Sequence, residues 1–302
     1  MSFDASRRLA TWGLFGALAT AGAVQAQDRA WQSFVSVTPV YEGKGDLDGG
    51  GDVSAWNAIV RAGFSGAISP TSRAGLTFNY GYSSYSFSDP VAFGGVAPWG
   101  SVRRYGVTAP LIFGLEGGWA LGISPSIDWI HETDADESES IQWGAVFSAT
   151  RIFGDGNRIG FGLGVFERLE KTSYYPLVLV DWKLGDRWRL VNPLPSGPTG
   201  PAGLELDYRF DSGWSVGLGA ALRSIRFRLS ESGPVPNGIG EERGVPVFLR
   251  ATRGLGDGMT LHLYAGVITS GQLRVEDPSG NRLREVDLGT TPIVGATLSA
   301  RF

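Results

Sequence analysis

Across residues 31–302 apolar side chains recur at every second position, in stretches of ten or more residues that close on turns rich in Gly, Asp, Asn or Ser. A two-residue period is that of a β-strand with one apolar face. Carried over nearly the whole chain, it predicts a single all-β domain, a transmembrane antiparallel up-and-down β-barrel whose strands turn one face to lipid and the other to water. The mean hydropathy of -0.01 is that of a chain split evenly between two such faces. Forty-five glycines would disrupt helices, but in strands they make room for bends and close contacts at a barrel wall.

The first residues read differently. Arg7-Arg8 precede an apolar run over residues 9–24, and Val24-Gln25-Ala26 places small residues at the first and third positions before a cut. This is the pattern of a secretory signal peptide spanning 1–26, leaving a barrel of 27–302. Thr11, Gly13, Gly16, Thr20 and Gly22 make the run too short and too polar for a membrane anchor. No other segment approaches the ~18 apolar residues of a transmembrane helix. The chain has no cysteine, which excludes a disulfide framework, a thiolate metal site and a thiol nucleophile. A net charge of -4 offers no basic surface to nucleic acid. No phosphate-cradling glycine loop opens a helix, and no cofactor is expected.

Turns of two kinds alternate. Tight ones fall at 69–72, 115–118, 154–157, 185–187, 211–213 and 254–258; longer connections fall at 42–52, 89–101, 132–138, 168–173, 193–202, 230–244 and 276–282. With both termini on the periplasmic side this predicts about fourteen strands, or about twelve if the short stretch 188–193 is not one.

Trp119 and Trp129 share a face ten residues apart, as do Trp143 and Phe153. Ten residues at ~3.3 Å, tilted by ~40°, rise about 25 Å, the height of an apolar band between two aromatic girdles. The opposite faces are small and polar (Ala120, Gly122, Ser124, Ser126, Asp128; Gln142, Gly144, Ser148, Thr150), which predicts a wet interior. On the inward parity lie Arg61, Arg104, Asp128, Asp181, Lys183, Glu205, Asp207, Arg209, Arg223, Arg250 and His262, the candidate lumen-lining residues that would set solute selectivity. Neighbours such as Asp207 and Arg209 are expected to neutralise one another if the lumen is closed. Residues 174–180 are apolar on both faces and suggest a packed interior patch. By the same parity, Leu218→Arg should be costly at the lipid face and Gly217→Ser mild in the lumen.

Asp46, Asp48 and Asp52 are spaced through glycine, a composition compatible with calcium, but the twelve-residue EF-hand pattern is missing and a solvated acidic loop is the plainer reading. Asp134, Asp136, Glu137 and Glu139 form a second acidic loop, for which simple solvated charge is the plainer reading and contact with divalent ions that bridge lipopolysaccharide phosphates the alternative. Hydrolysis would need a Ser and a His in reach of each other. Of the two histidines, His131 has outward parity with Ser138 and Ser140 across a loop, whereas His262 faces the lumen in a hydrogen-bonding role, so no catalytic residue is assigned.

The stretch Leu298-Ser299-Ala300-Arg301-Phe302 resembles the carboxy-terminal signature of Gram-negative outer-membrane proteins, which implies that Leu298 and Phe302 address the barrel-assembly machinery. Residues 187–190, 197–206 and 226–229 resemble a family of uncharacterised outer-membrane β-barrel proteins. That resemblance implies location and fold, with lipid and lipopolysaccharide as surroundings, and transfers no reaction. The expected function is a passive porin-like channel for small hydrophilic solutes with a mixed-charge lumen. The alternatives are a closed structural or adhesive barrel, plugged by 193–202 or 230–244, and, further off, a lipid hydrolase acting through His131 or a soluble β-sandwich.

Overall fold

The computed structural model describes residues 31–195, 197–200 and 202–302; the predicted signal peptide lies outside them. Sixteen strands run in chain order: β1 (Gln32–Asp46), β2 (Asp52–Ala67), β3 (Ser72–Ser88), β4 (Ser101–Thr108), β5 (Leu111–Gly114), β6 (Trp119–Glu132), β7 (Ile141–Ile152), β8 (Arg158–Arg168), β9 (Thr172–Lys183), β10 (Trp188–Val191), β11 (Ala202–Arg209), β12 (Trp214–Arg228), β13 (Ile239–Gly256), β14 (Met259–Glu276), β15 (Arg282–Leu288) and β16 (Thr291–Arg301). β4 and β5 continue one another past Ala109-Pro110, and so do β15 and β16 past Gly289-Thr290, so the wall has fourteen staves. Each stave pairs antiparallel with its neighbours in the chain, and β1 pairs with β16 to close the cylinder, Val35 opposite Ala300 and Tyr41 opposite Val294. No helix among the described residues is long and apolar enough to cross a membrane.

The short stretch at 188–193 does form a strand, paired with β9 and β11. The connections fall where the turn chemistry puts them, with two changes. The strands bounding the outer loops run further than expected, since 42–46 belong to β1 and 239–244 to β13. The connection after β8 is only residues 169–171, because Leu169 and Glu170 both take positive φ (45° and 62°) and turn the chain in two residues.

Outward faces carry exposed hydrocarbon: Val37, Phe78, Leu121, Phe147, Phe161, Leu218, Leu249 and Val294. Trp119, Trp143 and Phe153 stand exposed at the rims of this band, with the Arg151 guanidinium 5.9 Å from the Trp119 ring and 5.4 Å from that of Phe153. Trp129 is half-buried, stacked on Tyr105 across β4 and β6 with ring centroids 5.5 Å apart. At the end where β1 begins and β16 finishes, Leu298 is exposed on the outer face, and Phe302 exchanges backbone hydrogen bonds with Ser33.

Candidate functional site: the lumen and its outer closure

The inner wall divides into two sectors. On β2, β3, β4 and β6 it is polar and loosely filled. Arg61 Nε donates to Asn79 Oδ1 at 2.7 Å, and Arg104 Nε and Nη2 reach Asp128 Oδ1 at 3.0 Å. The Arg104 side chain stays 46% accessible although it points into the barrel. Gly81 stands opposite Arg104, and a Cβ there would meet nothing nearer than 3.6 Å.

The sector formed by β8 to β14 is packed instead. Leu179, Leu177 and Tyr175 of β9 lie directly opposite Gly160, Gly162 and Gly164 of β8. The stretch that is apolar on both faces is packed on its inner side: Leu177 lies against Gly162, while the recesses at Gly160 and Gly164 are taken by Thr150 and by the Phe166 ring, beside which Tyr175 lies. The same holds at Gly219, where a Cβ would lie 2.7 Å from the Phe248 ring, and at Gly217, where it would lie 1.8 Å from Glu205 Oε1. Small inward residues here mark side chains lying against the wall, so the expectation of a uniformly wet interior fails in this sector. For the same reason Gly217→Ser is expected to be costly and not mild, since its Cβ would have to displace the Glu205 carboxylate.

Most charges in the packed sector are paired or at the rim; Asp207 has Oδ1 buried without a hydrogen-bond partner. Arg189 is bidentate on Asp181 (2.6 and 2.7 Å), and Arg250 Nε donates to the buried Glu205 at 2.8 Å. Asp207 stands opposite Arg189 and makes no ion pair with Arg209, which is exposed opposite Ser215 at the rim that holds the chain ends. Lys183 is also at that rim, its ammonium on the Asp155 carbonyl. His262 is buried with Nδ1 2.9 Å from Thr252 Oγ1. The Pro/Gly-rich connection after β10 folds inward: Gly197, Pro198 and Thr199 are buried, and a Cβ on Gly197 would touch the Tyr264 hydroxyl of β14 at 2.8 Å.

The outer mouth is closed by the barrel's own strands. In β12 the apolar side chains change faces: Val216, Leu218 and Leu222 point outward, but above Arg223 it is Ile225 and Phe227 that point inward while Arg226 and Arg228 point out. β14 makes the same switch through an irregularity at residues 270–271, where Ser270 takes φ 51°. The upper parts of β12, β13, β14 and β15 thus form a leaf with an apolar inner face, and it leans across the mouth until Arg228 pairs with His131 of β6.

Beneath the leaf, Phe227, Leu273, Val275 and Val286 pack against Leu47, Val53, Trp99 and Ile130 from the other side of the mouth. The Trp99 and Phe227 rings meet edge to face with centroids 5.1 Å apart. Below this apolar layer Arg223 crosses from β12 to β1, bidentate on Glu42 at 2.6 and 2.8 Å, and also contacts Glu242, which accepts from Tyr85 at 2.7 Å. On the leaf's outer face Arg226, Glu241, Arg274 and Glu285 stand directly opposite one another across four strands. Arg226 is buried and donates to the carbonyls of Arg168 and Leu169 at 2.9 and 2.8 Å, which fastens the leaf to the tight turn after β8. The leaf had a signal in the sequence, the exchange of polar and apolar faces within β12, which the parity assignment of its lower half overlooks.

The leaf also explains His131. Its outward parity holds, yet β12 covers it, leaving it 1% exposed with Nδ1 2.8 Å from the Glu132 carbonyl. Ser140 Oγ donates to the Glu137 carbonyl and Ser138 Oγ to Asp136, so neither serine is poised on the histidine. Asp46 and Asp52 stand opposite each other where β1 meets β2, Asp52 pairs with Lys44 at 3.1 Å, and between them Leu47 turns inward to the apolar cluster. Among the described residues no group of three His, Asp or Glu side chains converges as metal ligands.

No family model matches the chain, and no curated protein matches it. Among solved structures it is similar to the COG4313 outer membrane channel from Pseudomonas putida F1, at 12% identity over 93% of this chain and 98% of that one, with a TM-score of 0.49. It is similar also to the P. putida toluene transporter TodX (10% identity, 93% and 92% covered, TM-score 0.43). A third is the translocator domain of the autotransporter NalP from Neisseria meningitidis (12% identity, 92% and 91% covered, TM-score 0.35). At this level of likeness no function passes from them to this chain.

Proposed function

We propose that the barrel lies in the bacterial outer membrane and passes small hydrophilic solutes along the Arg61–Asn79–Arg104–Asp128 sector of its lumen, with the leaf as a closed outer gate. The observation that carries the reading is the contrast of faces on the same strands: hydrocarbon outside, and inside a guanidinium, Arg104, still 46% accessible within the wall. A soluble barrel buries bulky apolar side chains centrally, whereas a lipid-facing band with a polar interior is the arrangement of a membrane channel.

Reconstitution in planar bilayers tests it. Discrete conductance steps are expected, rare while the leaf is shut and more frequent in a variant lacking the Arg223 cross-brace, Arg223→Met. A variant that inserts as a folded barrel yet never conducts would remove the passage reading. It would favour instead a closed structural barrel, for which the buried segment at Gly197–Thr199 and the apolar cluster under the leaf speak.

A further inference from the structure

The polar sector holds more positive charge than the wall as a whole. Three guanidiniums project into it or onto its border: Arg61, Asn79, Gly106, Asp128, Gln142 and Arg168 stand opposite one another in one row from β2 to the top of β8, and Arg104 lies two residues from Gly106 on β4. Only Arg104 has a carboxylate in ion-pair contact, Asp128 at 3.0 Å. Arg61 is held through Nε alone, by the amide of Asn79, so its two terminal nitrogens have no protein acceptor among the described residues. Arg168 is held by neutral oxygens, its Nε 3.4 Å from Gln142 Oε1 and its terminal nitrogens on Tyr175 and Ser224. The nearby carboxylates of the closure are engaged elsewhere. Glu42 takes Arg223 and Asn57, Glu132 takes the backbone N–H groups of Gly100 and Ser230, and Glu241, whose charge also reaches Arg168, is shared among Arg226, Arg274 and the Ser224 hydroxyl.

Like-charged guanidiniums brought together without matching carboxylates repel one another, and an anion that bridges them relieves that repulsion. A guanidinium fork also matches the geometry of a carboxylate or phosphate. We propose that Arg61, Arg104 and Arg168 form an anion site in the lumen, selecting small solutes that carry a carboxylate or phosphate group. Gly81 widens the wall beside Arg104, since a Cβ there would meet nothing nearer than 3.6 Å, whereas Gly106 is the recess into which the Asp128 side chain fits. Arg104 is the swing residue: its tie to Asp128 leaves Nη1 free, so it can hold Asp128 and an arriving anion together.

This inference rests on the passage reading for its biological meaning, but the site can be tested without it. At a separation of about 8 Å in water, each unit charge biases the local concentration of a counter-ion about twofold, so a net charge of two gives an enrichment on the order of fivefold. The same field depletes the cation by the same factor, so reversal potentials across a potassium chloride gradient should show chloride preferred over potassium by at least about fivefold. The preference should fall toward unity in Arg61→Gln/Arg104→Gln and rise in Asp128→Asn. Potassium preference in the unaltered barrel, or selectivity indifferent to both variants, would overturn the proposal.

A barrel that never conducts would defeat the passage reading alone, and calorimetry then decides the site. Purified protein in detergent is titrated with inorganic phosphate and with succinate. Binding that is lost in Arg61→Gln/Arg104→Gln and retained in the control Lys44→Gln supports the site. Absence of binding by the unaltered barrel, or binding unchanged in the double variant, refutes it.

Discussion

Two glycines on the inner wall show how much a single position depends on what lies over it. At Gly217 a Cβ would fall 1.8 Å from Glu205 Oε1, so Ala or Ser must displace the carboxylate that pairs with Arg250, in a sector with no slack. Gly217→Ala should cost about 1–3 kcal/mol. At Gly81 the nearest atom is 3.6 Å away, and because glycine is the entropically costly residue in a strand, Gly81→Ala should be neutral or stabilising by about 0.5 kcal/mol. Leu218, 58% exposed on the outer face, should cost ~2–4 kcal/mol as Arg if it lies near the bilayer midplane. Thermal unfolding of the three variants in phospholipid micelles checks all these values; equal tolerance at Gly217 and Gly81 would contradict the packed sector. The sequence already places Leu218 outward and Gly217 inward, since parity follows from a period of two. Whether an inward glycine faces water or a neighbour's side chain is set by the register between strands, which no single strand's pattern contains.

At the scale of elements, most of the wall was legible because each turn announces itself by Gly, Asp, Asn or Pro, and a hairpin barrel follows once the turns are placed. What stayed hidden was the bend of the leaf. It depends on contacts between strands far apart in the chain, Arg228 with His131 and Arg226 with the turn after β8. That turn is itself built against preference. Leu169 and Glu170 both sit in the left-handed region, where Asn-Gly is the usual pair, and Leu169 is held there by its buried side chain and by the Arg226 guanidinium on its carbonyl. Glu170 has no such anchor, and its Cβ would lie 3.0 Å from one added at Gly280 in the facing turn. Glu170→Gly should therefore stabilise the barrel by about 1 kcal/mol by releasing backbone strain, seen as a higher unfolding temperature in micelles. A destabilised variant would mean that the Glu170 side chain supports the clasp in a way its backbone conformation conceals.

For the molecule as a whole, the question is what opens a mouth shut by its own strands. The apolar layer of Trp99, Phe227 and Leu273 does not titrate, so a response to pH comes from the charges on either side of it, the Glu42–Arg223–Glu242 brace below and the charged rim of the leaf above. Three carboxyls on that rim are held below their ordinary values; at Glu241 burial pushes the carboxyl up, but the charges of Arg243, Lys171, Arg168 and Arg226 outweigh it. At Asp277 the cause is hydrogen bonding from the Asn281 side chain and backbone. At Glu285 partial burial pushes the carboxyl up, but the hydrogen bond and charge of Arg274, with Arg282 and Arg243, outweigh it. A depressed carboxyl contributes stability that is fully present above the ordinary carboxylate range and is lost as pH falls through the lowered value. Protonation also strips the Arg226–Glu241–Arg274–Glu285 row of its alternation, leaving like-charged guanidiniums across adjacent strands. Acid should therefore loosen the leaf and alkali should not. In planar bilayers, open events rare at pH 7 should become frequent below about pH 4, reverse on neutralisation, and stay rare up to about pH 9. Retention of the folded barrel's mobility on unheated gels over the same range would separate opening from unfolding, and Glu285→Gln should raise open events at pH 7. Opening driven by alkali, or an acid response unchanged in Glu285→Gln, would show that the charged row does not hold the gate.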